Sequence, residues 1–89
     1  MNIPRVSRKE FVVLGLLLTR GEMFGLQLSE AVPDLLARGT VYVTLQRMAV
    51  KGLVTSRAAP DPAGGPARRM YRATGRGYRL YTALKRELD

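Results

Sequence analysis

The sequence predicts a small α+β domain, mainly α with a small β-hairpin, in the order three helices, two-stranded hairpin, terminal helix. Three features predict it. Apolar residues recur at helical spacing in three segments before Gly52 and one after Thr74, each bounded by glycine, proline or a capping residue. Two short alternating runs, the first with β-branched content, flank a stretch rich in proline and glycine. The length of 89 residues fits one domain over residues 1–89.

Ser7-Arg8-Lys9-Glu10 has the form of a capping box, so a helix should begin there and run to Leu18 or Thr19, stopping near Gly21. Its middle, Phe11 to Leu18, is apolar on nearly every face, and such a helix needs cover from more than one side. A second helix is marked by Phe24, Leu28, Ala31 and Val32, and Pro33 limits it. A third, about residues 39–51, carries Val41, Leu45 and Met48 at i, i+4 and i+7 and closes at Gly52. Its other face is Tyr42, Val43, Thr44, Gln46, Arg47 and Lys51, a mixture dominated by hydrogen-bonding and cationic groups. Leu53 to Arg57 and Met70 to Ala73 read as strands around Ala59-Pro60-Asp61-Pro62-Ala63-Gly64-Gly65-Pro66, a turn by composition. From an N-cap at Thr74, a last helix places Tyr78, Tyr81, Leu84 and Leu88 on one stripe, as core or as an interface.

Cysteine and histidine are both absent, which removes thiol chemistry, the commonest metal ligand and the side chain best poised for acid/base work at neutral pH. No enzyme, metal or cofactor is expected. The apolar run Phe11–Leu18 is far short of the roughly 20 residues of a membrane span, and no small-residue cleavage pattern follows it, so the expected location is the cytoplasm, with no membrane partner.

The net charge is +8, from 15 Lys and Arg against 7 Asp and Glu. Residues 1–37 are neutral, with four cations against four acids. Residues 38–86 hold eleven cations against Asp61 alone, a net of +10. A positive field confined to one half of a domain is the footprint of a polyanion-binding face.

Helix, helix, helix, hairpin, helix is the order of a winged helix-turn-helix, whose third helix enters the major groove of DNA. Gln46 and Arg47 suit base edges, Val43 a thymine methyl, and Thr40 and Thr44 a base or phosphate. Arg68, Arg69 and Arg72 on the second hairpin arm suit phosphates, which position a protein without reading sequence. Lys51 joins the DNA-facing set. Tyr42 can either bond DNA through its hydroxyl or pack its ring at a helix junction.

Gly39-Thr40-Val41-Tyr42-Val43-Thr44-Leu45 and Lys51-Gly52-Leu53-Val54 resemble the recognition-helix signature of PadR-type transcriptional regulators. Leu14-Gly15-Leu16-Leu17, Phe24-Gly25-Leu26-Gln27-Leu28 and Gly65-Pro66-Ala67-Arg68-Arg69-Met70-Tyr71-Arg72-Ala73-Thr74-Gly75-Arg76-Gly77 are similar to the flanking family segments, so the resemblance spans about residues 11–88. It implies a winged helix that binds a pseudo-palindromic site in double-stranded DNA as a homodimer, and represses transcription. Two positions depart from the pattern: Leu26 replaces a usual tyrosine, and Val43 a usual proline. Family members normally continue into a longer C-terminal helix, whereas this sequence ends at Asp89. The expected dimer contacts are therefore Phe11, Leu14 and Leu18 of the first helix with Tyr78, Tyr81, Leu84 and Leu88 of the last, and the resemblance does not extend to a small-molecule effector. A winged helix acting as a protein-interaction adaptor, or as an architectural protein on any duplex, is the alternative.

Overall fold

The computed structural model describes residues 5–88, with side chains as far as Glu87. Four helices and three strands follow in the order α1 (Arg8–Arg20), β1 (Met23–Phe24), α2 (Gly25–Ala31), α3 (Arg38–Val50), β2 (Val54–Ala59), β3 (Arg68–Ala73) and α4 (Gly75–Leu88). The wing is thus part of a three-stranded antiparallel sheet of order β1-β3-β2. Strand β1 pairs Met23 with Tyr71 and Phe24 with Met70. The pattern of residues 21–25 gives no strand signal, because two residues are too few for an alternation to register.

Helix α1 begins as its capping box requires. Glu10 N–H donates to Ser7 Oγ at 3.2 Å and Ser7 N–H donates to Glu10 Oε1 at 2.9 Å. It ends at Gly21, whose φ of 83° is one that residues with a Cβ avoid. Helix α3 ends in a Schellman arrangement, with Leu53 N–H reaching Met48 O at 2.9 Å across Gly52 at φ 76°.

That same turn fixes the wing and α4. Thr74 caps α4 by accepting from Gly77 N–H at 3.1 Å, donates its own hydroxyl to Gly52 O at 2.6 Å, and donates its N–H to Leu53 O at 3.0 Å. A Cβ at residue 77 would lie 2.3 Å from Leu53 O, so only glycine lets α4 approach this closely. The end of α3, the root of the wing and the start of α4 therefore meet at one crossing.

The core is one cluster: Val13, Leu14 and Leu17 of α1, Leu28, Leu36, then Val41, Leu45 and Met48 of α3, with Met23, Leu53, Val54 and Leu80. One expectation about its edges is corrected and one is narrowed. Leu14 is fully buried inside this core and offers no surface to a second copy. On α4 the inward face is Gly77, Leu80, Tyr81 and Leu84, whereas Tyr78 is 55% exposed. The stripe runs through Leu80 because Gly77, which has no side chain to count, occupies the inward position of the first turn.

Among the described residues, no helix is long and apolar enough to cross a membrane.

Candidate nucleic-acid interface

Helix α3 buries Val41, Thr44, Leu45 and Met48 and turns the opposite face outward. Val43, Gln46, Arg47 and Val50 are exposed at i, i+3, i+4 and i+7, and line a shallow depression along the helix. Val50, at 84% exposure the barest large apolar residue described, was not among the expected site residues. It belongs with Val43 as an apolar element of an otherwise polar surface.

Tyr42 stands beside this stripe with its ring against the start of α2. A Cβ at Gly25 would meet Tyr42 Cε1 at 2.6 Å and its hydroxyl oxygen at 3.1 Å. The ring therefore packs at the α2–α3 junction while the residue as a whole remains exposed. Glycine at residue 25 is what admits it.

Two residues expected on the DNA-facing surface have their polar groups engaged within the fold, although Thr44 still lines the groove between α1 and α3 and Lys51 the depression along α3. Thr44 is buried, and its hydroxyl donates to Thr40 O at 3.1 Å, one turn back. Lys51 reaches back to α1: its Nζ donates to both Glu10 carboxylate oxygens at 2.8 Å and to Arg5 O at 2.5 Å. The Glu10 side chain is only 5% exposed and that of Lys51 29%. Burial works to raise the Glu10 pKa, but hydrogen bonds from Lys51 and from Ser7 N–H outweigh it and hold the carboxyl below its ordinary value. Lys51 thus neutralises a buried carboxylate and fastens α3 to α1.

The first turn of α1 supplies the cations that Lys51 does not. Arg8 and Lys9 share a groove with Thr40, Val43 and Arg47 of α3, and both are exposed. The neutral sum over residues 1–37 concealed them. The half of the chain that balances in sequence does not balance in space, since Glu10 faces inward to Lys51 while Arg8 and Lys9 stay at the surface.

On the wing, strand alternation divides the three expected arginines. Arg68 and Arg72 point to the outer face of the sheet, the face of Phe24, Arg57 and Thr55, while Arg69 lies on the other face and donates to Ser56 Oγ at 3.1 Å. On the outer face Arg57 clasps Glu22 through Nε at 2.9 Å and Nη2 at 2.6 Å. That hydrogen bond holds the Glu22 pKa below its ordinary value, helped by the charges of Arg57 and Arg72, against partial burial.

The remaining expected residues gather where α1 and α4 pack. Phe11 and Tyr81 meet ring to ring, with centroids 4.7 Å apart at 45°, and Tyr81 also closes over Gly15. Leu84 lines an apolar groove there with Val6, Phe11 and Val12. Leu18 is half-buried, and the Leu88 side chain lies outside the described residues.

A family model described as the transcriptional regulator PadR-like family matches residues 13–83. The chain belongs to this family. Solved structures agree in fold. A PadR family transcription regulator from hypervirulent Clostridium difficile R20291 superposes with a TM-score of 0.80 at 24% identity, over 91% of this chain and 86% of that one. A PadR family transcriptional regulator from Eggerthella lenta DSM 2243 gives 0.72 at 24% identity, over 91% and 73%. Bacillus subtilis PadR, solved in complex with operator DNA, gives 0.71 at 21% identity, over 83% of this chain and 44% of that protein. No curated protein sequence matches.

Within this PadR-like chain, sequence reasoning missed Arg8, Lys9 and Val50. Val50 was legible: it continues the period of Val43 and Arg47 by one further turn. Arg8 and Lys9 had no such signal, because their nearness to α3 arises only from how α1 packs.

Proposed function

We propose that this PadR-like regulator binds a pseudo-palindromic DNA site as a homodimer and represses transcription by occupying it. Helix α3 enters the major groove with Val43, Gln46, Arg47 and Val50 toward the bases. Thr40 and Tyr42 flank them, and Arg8, Lys9, Arg68, Arg69 and Arg72 hold phosphates. The observation that carries the reading is the exposed stripe of α3, in which Gln46 and Arg47 stand between Val43 and Val50, bordered by the cations of α1.

Further support comes from the start of α3, where Ala37 provides no side-chain cap. Thr40 N–H already donates to Ala37 O at 2.9 Å, which leaves the N–H groups of Arg38 and Gly39 to a solvent or phosphate acceptor. The family assignment and the operator-bound Bacillus subtilis relative point the same way. For the dimer, the apolar groove of Val6, Phe11, Val12 and Leu84 supplies a surface that a second α1–α4 pair can cover, and Leu18, Tyr78 and Tyr81 belong to the same two helices. The site of action is the cytoplasm, where the DNA is.

The test is a pair of variants. Arg47→Ala should weaken binding to a selected genomic fragment by about 1–3 kcal/mol and relax preference at one base position. Arg68→Ala should weaken fragment and random duplex alike and make the salt dependence shallower by about one ion. If both variants bind both duplexes as wild type does, the face is wrongly assigned. If wild type gives no salt-dependent shift at all, the protein is an adaptor and not a DNA reader.

A further inference from the structure

The tip of the wing is organised by its one acid. Asp61 Oδ1 accepts from Ala63 N–H at 2.9 Å, and its main-chain oxygen accepts from Gly64 N–H at 3.0 Å. Gly65 packs so close that a Cβ there would lie 2.6 Å from Asp61 Oδ2. The same carboxylate stands 3.5 Å from Arg68 Nη2, and the two side chains are 14% and 45% exposed respectively. Arg68 has a second partner, since its Cζ lies 4.6 Å from the centroid of the Phe24 ring on β1. The guanidinium therefore meets both an aromatic ring and a carboxylate, in the half of the chain where eleven cations meet this single acid.

Resting on the DNA-binding reading above, we propose that Asp61 is an internal stand-in for a DNA phosphate, which Arg68 exchanges for a backbone phosphate when the wing docks. A guanidinium pairs with carboxylate and phosphate through the same planar fork of N–H donors. At 3.5 Å the Asp61 contact is longer than the roughly 2.7–2.9 Å of a charge-assisted hydrogen bond. Donors on Arg68 thus remain for an incoming anion. Stacking on Phe24 limits the rotamers that Arg68 must give up on binding. Asp61 acts in both directions: it keeps Arg68 in place before docking, and it repels the phosphate that replaces it. The wing's grip is set below what its arginines alone would give. Because phosphates carry no sequence, operator and random duplex feel this equally.

Asp61→Asn tests the exchange, since an amide keeps Oδ1 as acceptor for Ala63 N–H, and with it the tip turn, while removing the charge. Binding is measured against random-sequence duplex and against the fragment that selection from genomic DNA enriches, over a salt series. Circular dichroism melts confirm that each variant is folded. The variant should bind both duplexes about two- to fivefold more tightly, the worth of an exposed ion pair, with a steeper salt dependence. In an Arg68→Ala background the same substitution should bring no gain. Unchanged or weaker binding by Asp61→Asn overturns the exchange. A gain that persists without Arg68 also overturns it, because it reduces Asp61 to general charge. Failure of wild type itself to bind either duplex overturns the DNA-binding reading instead.

Discussion

Lys51 in the helical body and Arg68 in the wing are both cations in contact with a carboxylate, yet the two contacts differ in kind. Lys51 meets both oxygens of Glu10 at 2.8 Å and takes a third partner in Arg5 O. Its acid is buried and itself part of a helix cap. Arg68 meets Asp61 at a single 3.5 Å contact on an open strand. In the body the acid is buried and takes Lys51 together with Ser7 N–H, so the pair closes the fold. In the wing the acid is already satisfied by the tip backbone, so the arginine can change partners. Burial, not charge, decides which cations of a basic domain are free to meet an outside anion.

The comparison fails first if the body is not held by packing, and the largest effect expected is there. Leu80→Ala should cost about 2–4 kcal/mol in a chemical unfolding titration, because Leu80 closes the core at the α1–α4 contact. Tyr78→Ala, two residues earlier on the exposed face, should leave the unfolding free energy of the single chain nearly unchanged. Equal losses at the two positions would mean that α4 presents a different face to the core.

Glu10→Ala comes next, at about 2–3 kcal/mol. It strands a partly buried ammonium and leaves Ser7 N–H without its acceptor. The pH dependence has a defined sign. With the folded-state pKa of Glu10 below its ordinary 4.5, its contribution is complete above that value and is lost as pH falls through the folded pKa. Wild type should therefore converge on Glu10→Ala in strongly acidic solution and stand apart from it at neutral pH. A constant gap across that range would remove the ion pair as the cause.

How much of this was legible from residues alone follows the same division. The caps at Ser7 and Thr74, the stops at Gly21 and Gly52 and the apolar stripe of α3 depend on neighbours within a turn or two, and each stands where the sequence placed it. The fates of Lys51 and Leu14 depend on which helix packs against which, and no local period encodes a contact 41 residues apart such as Lys51 to Glu10. Tyr78, expected in the core or at an interface, stands outside the core for a different reason. Leu80 was available to the stripe, but a glycine at the inward position of the first turn hid the true phase. The wing arginines were half legible: period-2 alternation separates Arg69 from Arg68 and Arg72 without any structure.

The smallest effect should come from the second wing pair, Arg57 with Glu22. It has better geometry than Arg68 with Asp61, with two hydrogen bonds at 2.9 and 2.6 Å, but it sits in solvent, where holding two long side chains together offsets most of the attraction. Glu22→Gln should leave the melting temperature within the scatter of replicate melts at neutral pH. The lowered Glu22 pKa gives this small contribution the same sign as that of Glu10, present above the ordinary glutamate value and lost on acidification. Raising the salt concentration should erase whatever difference remains, since an exposed pair is screened as a buried one is not. A loss comparable to that of Glu10→Ala, persisting in high salt, would show that β1 is clamped to the wing by charge. The contrast between a closed body and an open wing would then have to be redrawn at β1, with Phe24 and the Arg68 stacked on it counted as part of the body.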